Sequence, residues 1–260
     1  MVFDVTENMS AKLQDTQISG STMTFSVSNA DIREFALVDI AKNQDIPTPT
    51  LVGKVSNQNL HNLPAVDMVI IAQPELKSYA EELANLHKED SGLTSYVIDP
   101  QEIYNEFSSG KPDATAYRRF MKMFYDRTIS VGNGPKYLLL FGGGTYDNRL
   151  TRSAWTDEEK KSMLLTFQSE ESLLETASYV TDDYFGFLDD NEGADLSKAQ
   201  LDIGVGRLPI RTKSEASNIV QKIKNYMLDV NKGIWQNNIT FVADDLIGSE
   251  DITTERRHIR

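Results

Sequence analysis

From Asp67 onward the chain repeats one pattern: a short apolar run, a punctuating turn, and a longer stretch whose apolar residues recur at helical spacing. Met68-Val69-Ile70-Ile71-Ala72 precedes an amphipathic stretch over 74–87. Ser95-Tyr96-Val97-Ile98-Asp99 precedes another over 114–125, with Phe120, Met123 and Phe124 on its apolar side. Residues 136–141 make a third apolar run, 201–206 a fourth leading into a helical stretch over 213–229, and 238–243 a fifth. A strand apolar on both sides must be covered on both, and strands separated by helical crossovers pair in parallel. The pattern therefore predicts an α/β fold, a mostly parallel sheet with helices on both faces. Pro74 and Pro112-Asp113 stand at predicted helix starts, and Thr212 precedes its helix with Glu215 at capping-box spacing. The charged run 250–260 predicts the start of another helix.

Ahead of that pattern lies a small β segment. Thr22-Met23-Thr24-Phe25-Ser26-Val27-Ser28 and Glu34-Phe35-Ala36-Leu37-Val38-Asp39 alternate polar and apolar residues with the period of half-buried strands. The two prolines of Ile46-Pro47-Thr48-Pro49 then predict a linker or a sheet edge. MVFDVT at the start reads as a strand entered in mid-domain, and the residues after Met1 lack the basic and apolar regions of a signal peptide.

Composition narrows the function. A formal charge of −13, from 39 acidic against 26 basic residues, argues against nucleic acid or an anionic membrane surface as partner. Calcium, a cationic partner or solubility alone fits better. The chain has no cysteine, so disulfides and thiolate metal sites are excluded. No apolar run approaches the roughly 20 residues that span a bilayer.

Ligands of open α/β sheets gather at strand ends, and three ends stand out. The third apolar run leads into Gly142-Gly143-Gly144-Thr145-Tyr146-Asp147, which reads as a tight turn: no Walker lysine and no GxGxxG spacing accompanies the glycines. Thr181-Asp182-Asp183 through Leu188-Asp189-Asp190-Asn191-Glu192-Gly193, just upstream of Asp202, offers hard oxygen ligands that suit calcium, without EF-hand spacing. Asp182, Asp183 and Asp189 binding magnesium for phosphoryl transfer is a further reading, with carboxylates alone to recommend it. Val242-Ala243-Asp244-Asp245 carries two carboxylates out of a predicted strand, either solvated or poised to orient a base. His61, His87 and His258 are scattered, and none pairs recognisably with a serine.

Taken together, five blocks resemble the gingipain-type cysteine peptidases. They are Asp67-Met68-Val69-Ile70-Ile71-Ala72; the run from Val97-Ile98-Asp99-Pro100 to Pro112-Asp113-Ala114-Thr115; Pro135-Lys136-Tyr137-Leu138-Leu139-Leu140-Phe141-Gly142 with Tyr146-Asp147-Asn148-Arg149; Thr181-Asp182-Asp183-Tyr184-Phe185-Gly186; and Asp202-Ile203-Gly204-Val205-Gly206-Arg207-Leu208-Pro209. The likeness is strongest to the branch that serves as the sortase, or signal peptidase, of the type IX secretion system of Bacteroidetes.

The resemblance implies a caspase-like α/β/α sandwich of two subdomains, with the nucleophilic Cys and its His in the second. Residues 1–50 would be the tail of a preceding β domain, 51–236 the first subdomain, and 237–260 the truncated start of the second. The resemblance makes Asp245, or alternatively Asp244, the acid that supports the catalytic histidine. It makes Asp189 and Asp202 calcium ligands, although Gly143 stands where the family commonly has an aspartate. The implied substrates are secreted proteins with C-terminal sorting domains, and other secretion-system components are implied partners. The implied location is the cell surface or outer-membrane exterior. Without the family's catalytic Cys and its partner His these 260 residues are expected to be inactive alone. The alternative is a non-catalytic α/β module that binds calcium or a partner.

Overall fold

A computed structural model describes residues 1–240 apart from 8–9, 29, 43–47, 52, 129–131, 133, 170–177, 194–197 and 229–231. It divides into two compact units, Met1–Asn57 and the chain from Gln58 onward.

In the first unit β1 (Val2–Asp4) is the centre of a three-stranded antiparallel sheet, between β2 (Lys12–Leu13) and β5 (Phe35–Leu37). A hairpin of β3 (Gln17–Ser19) and β4 (Thr22–Thr24) stands beside it in sequence, closed by Gly20 at φ 60°. Val2 is the buried residue of this sheet, and Asp4 ties it together by accepting from Thr6 and Arg33.

The second unit is built on the five-residue strand β6 (Met68–Ala72), buried throughout. It pairs in parallel with β7 (Ser95–Ile98) on one side and β8 (Tyr137–Phe141) on the other. On the far side of β8, β11 (Gly204–Leu208) extends the order among the described residues to β11-β8-β6-β7. Between β6 and β7 runs α1 (Lys77–Ser91), ended by Gly92 in the left-handed region at φ 72°. Between β7 and β8 run α2 (Pro100–Phe107) and α3 (Ala114–Thr128), and after β11 comes α5 (Lys213–Met227). The short α4 (Asp157–Lys160) and the two-residue strands β9 (Phe167–Gln168) and β10 (Val180–Thr181) lie in the β8–β11 connection.

Alternation along β6 explains the layers. Val69 and Ile71 join Leu138 and Leu140 in one cluster, covered by Ile103, Tyr117, Phe120 and Phe124 of α2 and α3. Met68, Ile70 and Ala72 join Phe141 in the other, covered by Ala80, Leu83, Ala216 and Val220 of α1 and α5. The expected parallel sheet with helices on both faces is therefore present.

Several boundaries differ from the sequence reading. The helix expected from 74 begins at Lys77, because residues 73–76 form a turn closed by the Leu76 amide on the Gln73 carbonyl. Pro100 opens a helix not foreseen, with Asp99 capping it by accepting from the Gln101 amide. The fourth strand starts at Gly204 rather than Leu201, since Leu201 is half exposed and Asp202 bonds back to the preceding turn. Thr212 caps α5 as expected, but Glu215 reaches the Arg211 amide instead of completing the box. The full capping box is Thr156 with Glu159 at α4. Of the fifth expected strand, 238–240 is not strand and 241–243 lies outside the described residues, as does the helix expected over 250–260.

Candidate functional site

At the carboxyl edge of the sheet a single guanidinium organises the loops. Arg207 near the end of β11 meets Asp182 in a two-pronged ion pair, Nε to Oδ2 at 2.7 Å and Nη2 to Oδ1 at 2.8 Å. Its remaining donors reach the carbonyls of Gly142 (3.2 Å), Gly143 (3.0 Å) and Leu165 (2.9 Å). One side chain thus binds the end of β8, the segment before β9 and the turn after β10. Every donor is committed within the protein, so the arrangement holds loops in place. The signal for it was a lone cation in the apolar run Gly204–Leu208, which has to be paired if half buried.

The triglycine segment, read from sequence as a tight turn, instead continues beside β11 and packs closely against its neighbours. The Gly142 amide donates to the Leu208 carbonyl at 3.1 Å and the Gly143 amide to the Ile210 carbonyl at 2.7 Å, leaving neither for a phosphate. A Cβ at Gly142 would lie 2.5 Å from the Ser162 carbonyl oxygen, and one at Gly143 2.5 Å from Met163 Sδ. The aspartate that the resemblance implies at 143 would require the Met163 side chain to move aside.

Asp189 and Asp202 come together, but at the opposite end of the sheet. In the β8–β11 register Gly204 faces Tyr137 and Leu208 faces Phe141, so Asp202 precedes both strands and Gly143 follows them. A strand of this length separates the two by roughly 17 Å. Gly143 therefore has no bearing on the acidic pair. The Tyr125 hydroxyl of α3 donates to Asp189 Oδ1 at 2.7 Å and approaches Asp202 Oδ1 at 3.1 Å, while Asp202 Oδ2 accepts from the Leu188 amide at 2.7 Å. Hydrogen bonding to Asp189, then burial and the bond to Asp202, push the Tyr125 phenol well above its usual range.

The fit to calcium can be judged from these donors. Calcium takes six to eight oxygens, carboxylate and carbonyl together. The carbonyls of Phe187, Leu188, Asp189 and Glu192 instead accept from Arg118 and Lys122. Among the described residues no group of three or more His, Cys, Asp or Glu is placed to hold a metal. The described residues do not fit the ion. Nor do Asp182, Asp183 and Asp189 converge: Asp182 belongs to Arg207, Asp189 to Tyr125, and Asp183 is exposed.

Sequence reading left His61 without a role, and the structure gives it one. Glu106 at the end of α2 accepts from Gln58 Nε2, the amides of Leu60 and His61, and His61 Nδ1 at 2.6 Å; the imidazole stacks on Phe107. Partial burial pushes the Glu106 carboxyl up, but these bonds together outweigh it and hold it at about 2. The clasp's contribution to stability is therefore complete above the ordinary value of 4.5 and is lost as pH falls toward 2. Urea midpoints between pH 5 and 2, an interval of roughly three units chosen to bracket both values, should fall more steeply for the parent chain than for Glu106→Gln. His87 lies on α1. Asp244, Asp245 and His258 lie outside the described residues.

The fold finds its counterpart in known proteins. The model of peptidase family C25 matches residues 61–259. The crystal structure of dimeric latent PorU from Porphyromonas gingivalis superposes with a TM-score of 0.74 at 36% identity, over 93% of this chain. The chain belongs to peptidase family C25, the gingipain family. As a member of C25 it spans 23% of the PorU chain, so it corresponds to a portion of that relative. A second C25-related structure, the complex of Porphyromonas gingivalis RgpB pro- and mature domains, matches at 18% identity with a TM-score of 0.39, covering 61% of this chain and 28% of that one. A search of curated proteins finds no match. In this C25 chain no described helix is long and apolar enough to cross a membrane.

Proposed function

We propose that this chain is the N-terminal portion of a gingipain-like cysteine endopeptidase that removes C-terminal sorting domains from proteins exported by a type IX secretion system. The likeness to PorU, 36% identity over 93% of the chain, carries this reading. Family membership supplies the coarser part: a cysteine peptidase, with protein substrates. In such an enzyme a histidine takes the proton of the cysteine thiol, the thiolate attacks the scissile carbonyl, the imidazolium gives the proton to the leaving amine, and water then hydrolyses the thioester. No cysteine occurs in these 260 residues, and in this reading the nucleophile and its histidine belong to the second subdomain. Asp245, or Asp244 in its place, orients that histidine. The α/β unit described here is the supporting subdomain, its carboxyl-edge loops held by Arg207 and Asp182. The enzyme works at the cell surface, alongside other components of the secretion system.

The test uses the gene product extended beyond Arg260, incubated with a secreted protein that carries a C-terminal sorting domain. Intact-mass analysis should show loss of that domain, abolished by prior alkylation with iodoacetamide. Cleavage that survives alkylation contradicts a cysteine mechanism; an extended product with no thiol-dependent cleavage leaves the non-catalytic module as the better reading.

A further inference from the structure

We propose that the turn before β11 carries its cations within the protein: Arg118 and Lys122 of α3 occupy the place of a divalent ion, and the turn is independent of calcium. The turn at 187–192 directs its carbonyls toward one face of α3. Arg118 Nε donates to the Phe187 carbonyl at 2.5 Å, and its Nη2 to those of Glu192 at 3.1 Å and Asp189 at 3.4 Å. Lys122 Nζ donates to the Leu188 carbonyl at 2.8 Å and pairs with Asp126 at 2.8 Å and Asp190 at 3.0 Å. Positive φ at Asn191 (67°) and Gly193 (91°) reverses the chain and brings these acceptors together.

Arg118, Lys122 and Tyr125 recur at i, i+4 and i+7, the spacing of one helical face. That stripe meets the whole acidic turn: two cations for its carbonyls and Asp190, and one phenol for Asp189 and Asp202. Two fixed positive charges match the charge of a divalent ion. They are anchored to a helix whose other side carries Tyr117, Phe120 and Phe124 in the core, so they reach the turn without the cost of gathering a free ion. The Arg118 guanidinium also lies over the Tyr184 ring, 5.6 Å from its centre, which fixes its plane.

Thermal unfolding of the full chain with millimolar calcium and with excess chelator decides the matter, together with terbium luminescence, for which Tyr125 is a sensitiser at the acidic pair. The expected result is the same midpoint in both solutions and no saturable terbium emission. Lys122→Met and Arg118→Met should each lower the midpoint by several degrees in either solution. A saturable calcium-dependent rise, or terbium emission, that is lost in Asp189→Asn or Asp202→Asn would overturn the proposal. So would Lys122→Met and Arg118→Met variants as stable as the parent. The wild-type measurements stand even where a variant fails to fold.

Discussion

Replacing Asp182 with alanine should cost about 3–5 kcal/mol of stability, because it leaves the largely buried Arg207 guanidinium without its counter-charge. The Arg207 side chain is only 11% exposed, so water cannot take the carboxylate's place. The same guanidinium holds the carbonyls of Gly142, Gly143 and Leu165, and once unpaired it is pulled toward solvent, loosening three segments. In a domain of this size the loss corresponds to a fall of on the order of 10 °C in the thermal midpoint. Urea unfolding of Asp182→Ala and the parent measures it directly. Exchanging both partners for apolar residues of similar shape should cost much less than either single change, since neither charge is then stranded. A double variant as damaged as Asp182→Ala would place the cost in packing instead.

Phe120→Ala should cost a comparable amount, about 3–5 kcal/mol, by a different route. Phe120 is fully buried on α3, with Phe124 at 5.1 Å on one side and Phe107 at 5.3 Å on the other, both edge-on or tilted. Its removal opens a cavity between α3 and the sheet that a helix held by α2 and by the 187–192 turn cannot collapse to fill. Equilibrium unfolding in urea reads the loss as a lower midpoint with an unchanged slope. Tyr104→Phe, which removes one hydroxyl from the buried pair with Tyr117 at 2.6 Å, should cost only about 1–2 kcal/mol.

The contrast between these two sites shows what sequence patterns carry. The core around Phe120 was legible because a helix at its spacing and strands apolar on both faces leave few ways to bury it, and β6 and β8 lie where their apolar runs said. The Arg207 hub was not, because its acceptors come from residues 142–143, 165 and 182, and no local pattern ties these separate segments to one side chain. Local pattern also misplaced the start of β11: Leu201 is apolar yet exposed, and the Asp202 carboxylate caps the Leu188 amide. The acidic turn at 187–192 suggested calcium because its balancing charges lie on α3, far earlier in the chain. A pattern of ligands along one segment cannot report a cation supplied by another. Resemblance reached further than periodicity, since the order of five blocks pointed to the family that the whole-chain match established.

On the proposed function, the α/β unit of this C25 chain supports chemistry that residues outside these 260 supply. The most direct measurement is the turnover of fluorogenic peptide libraries, and of a protein substrate, by the purified 260-residue chain at neutral pH under reducing conditions. No hydrolysis above background, with the chain folded by circular dichroism, is the expected result. Hydrolysis that tracks the chain through purification would contradict it, because a polypeptide without a cysteine would then be performing the family's reaction.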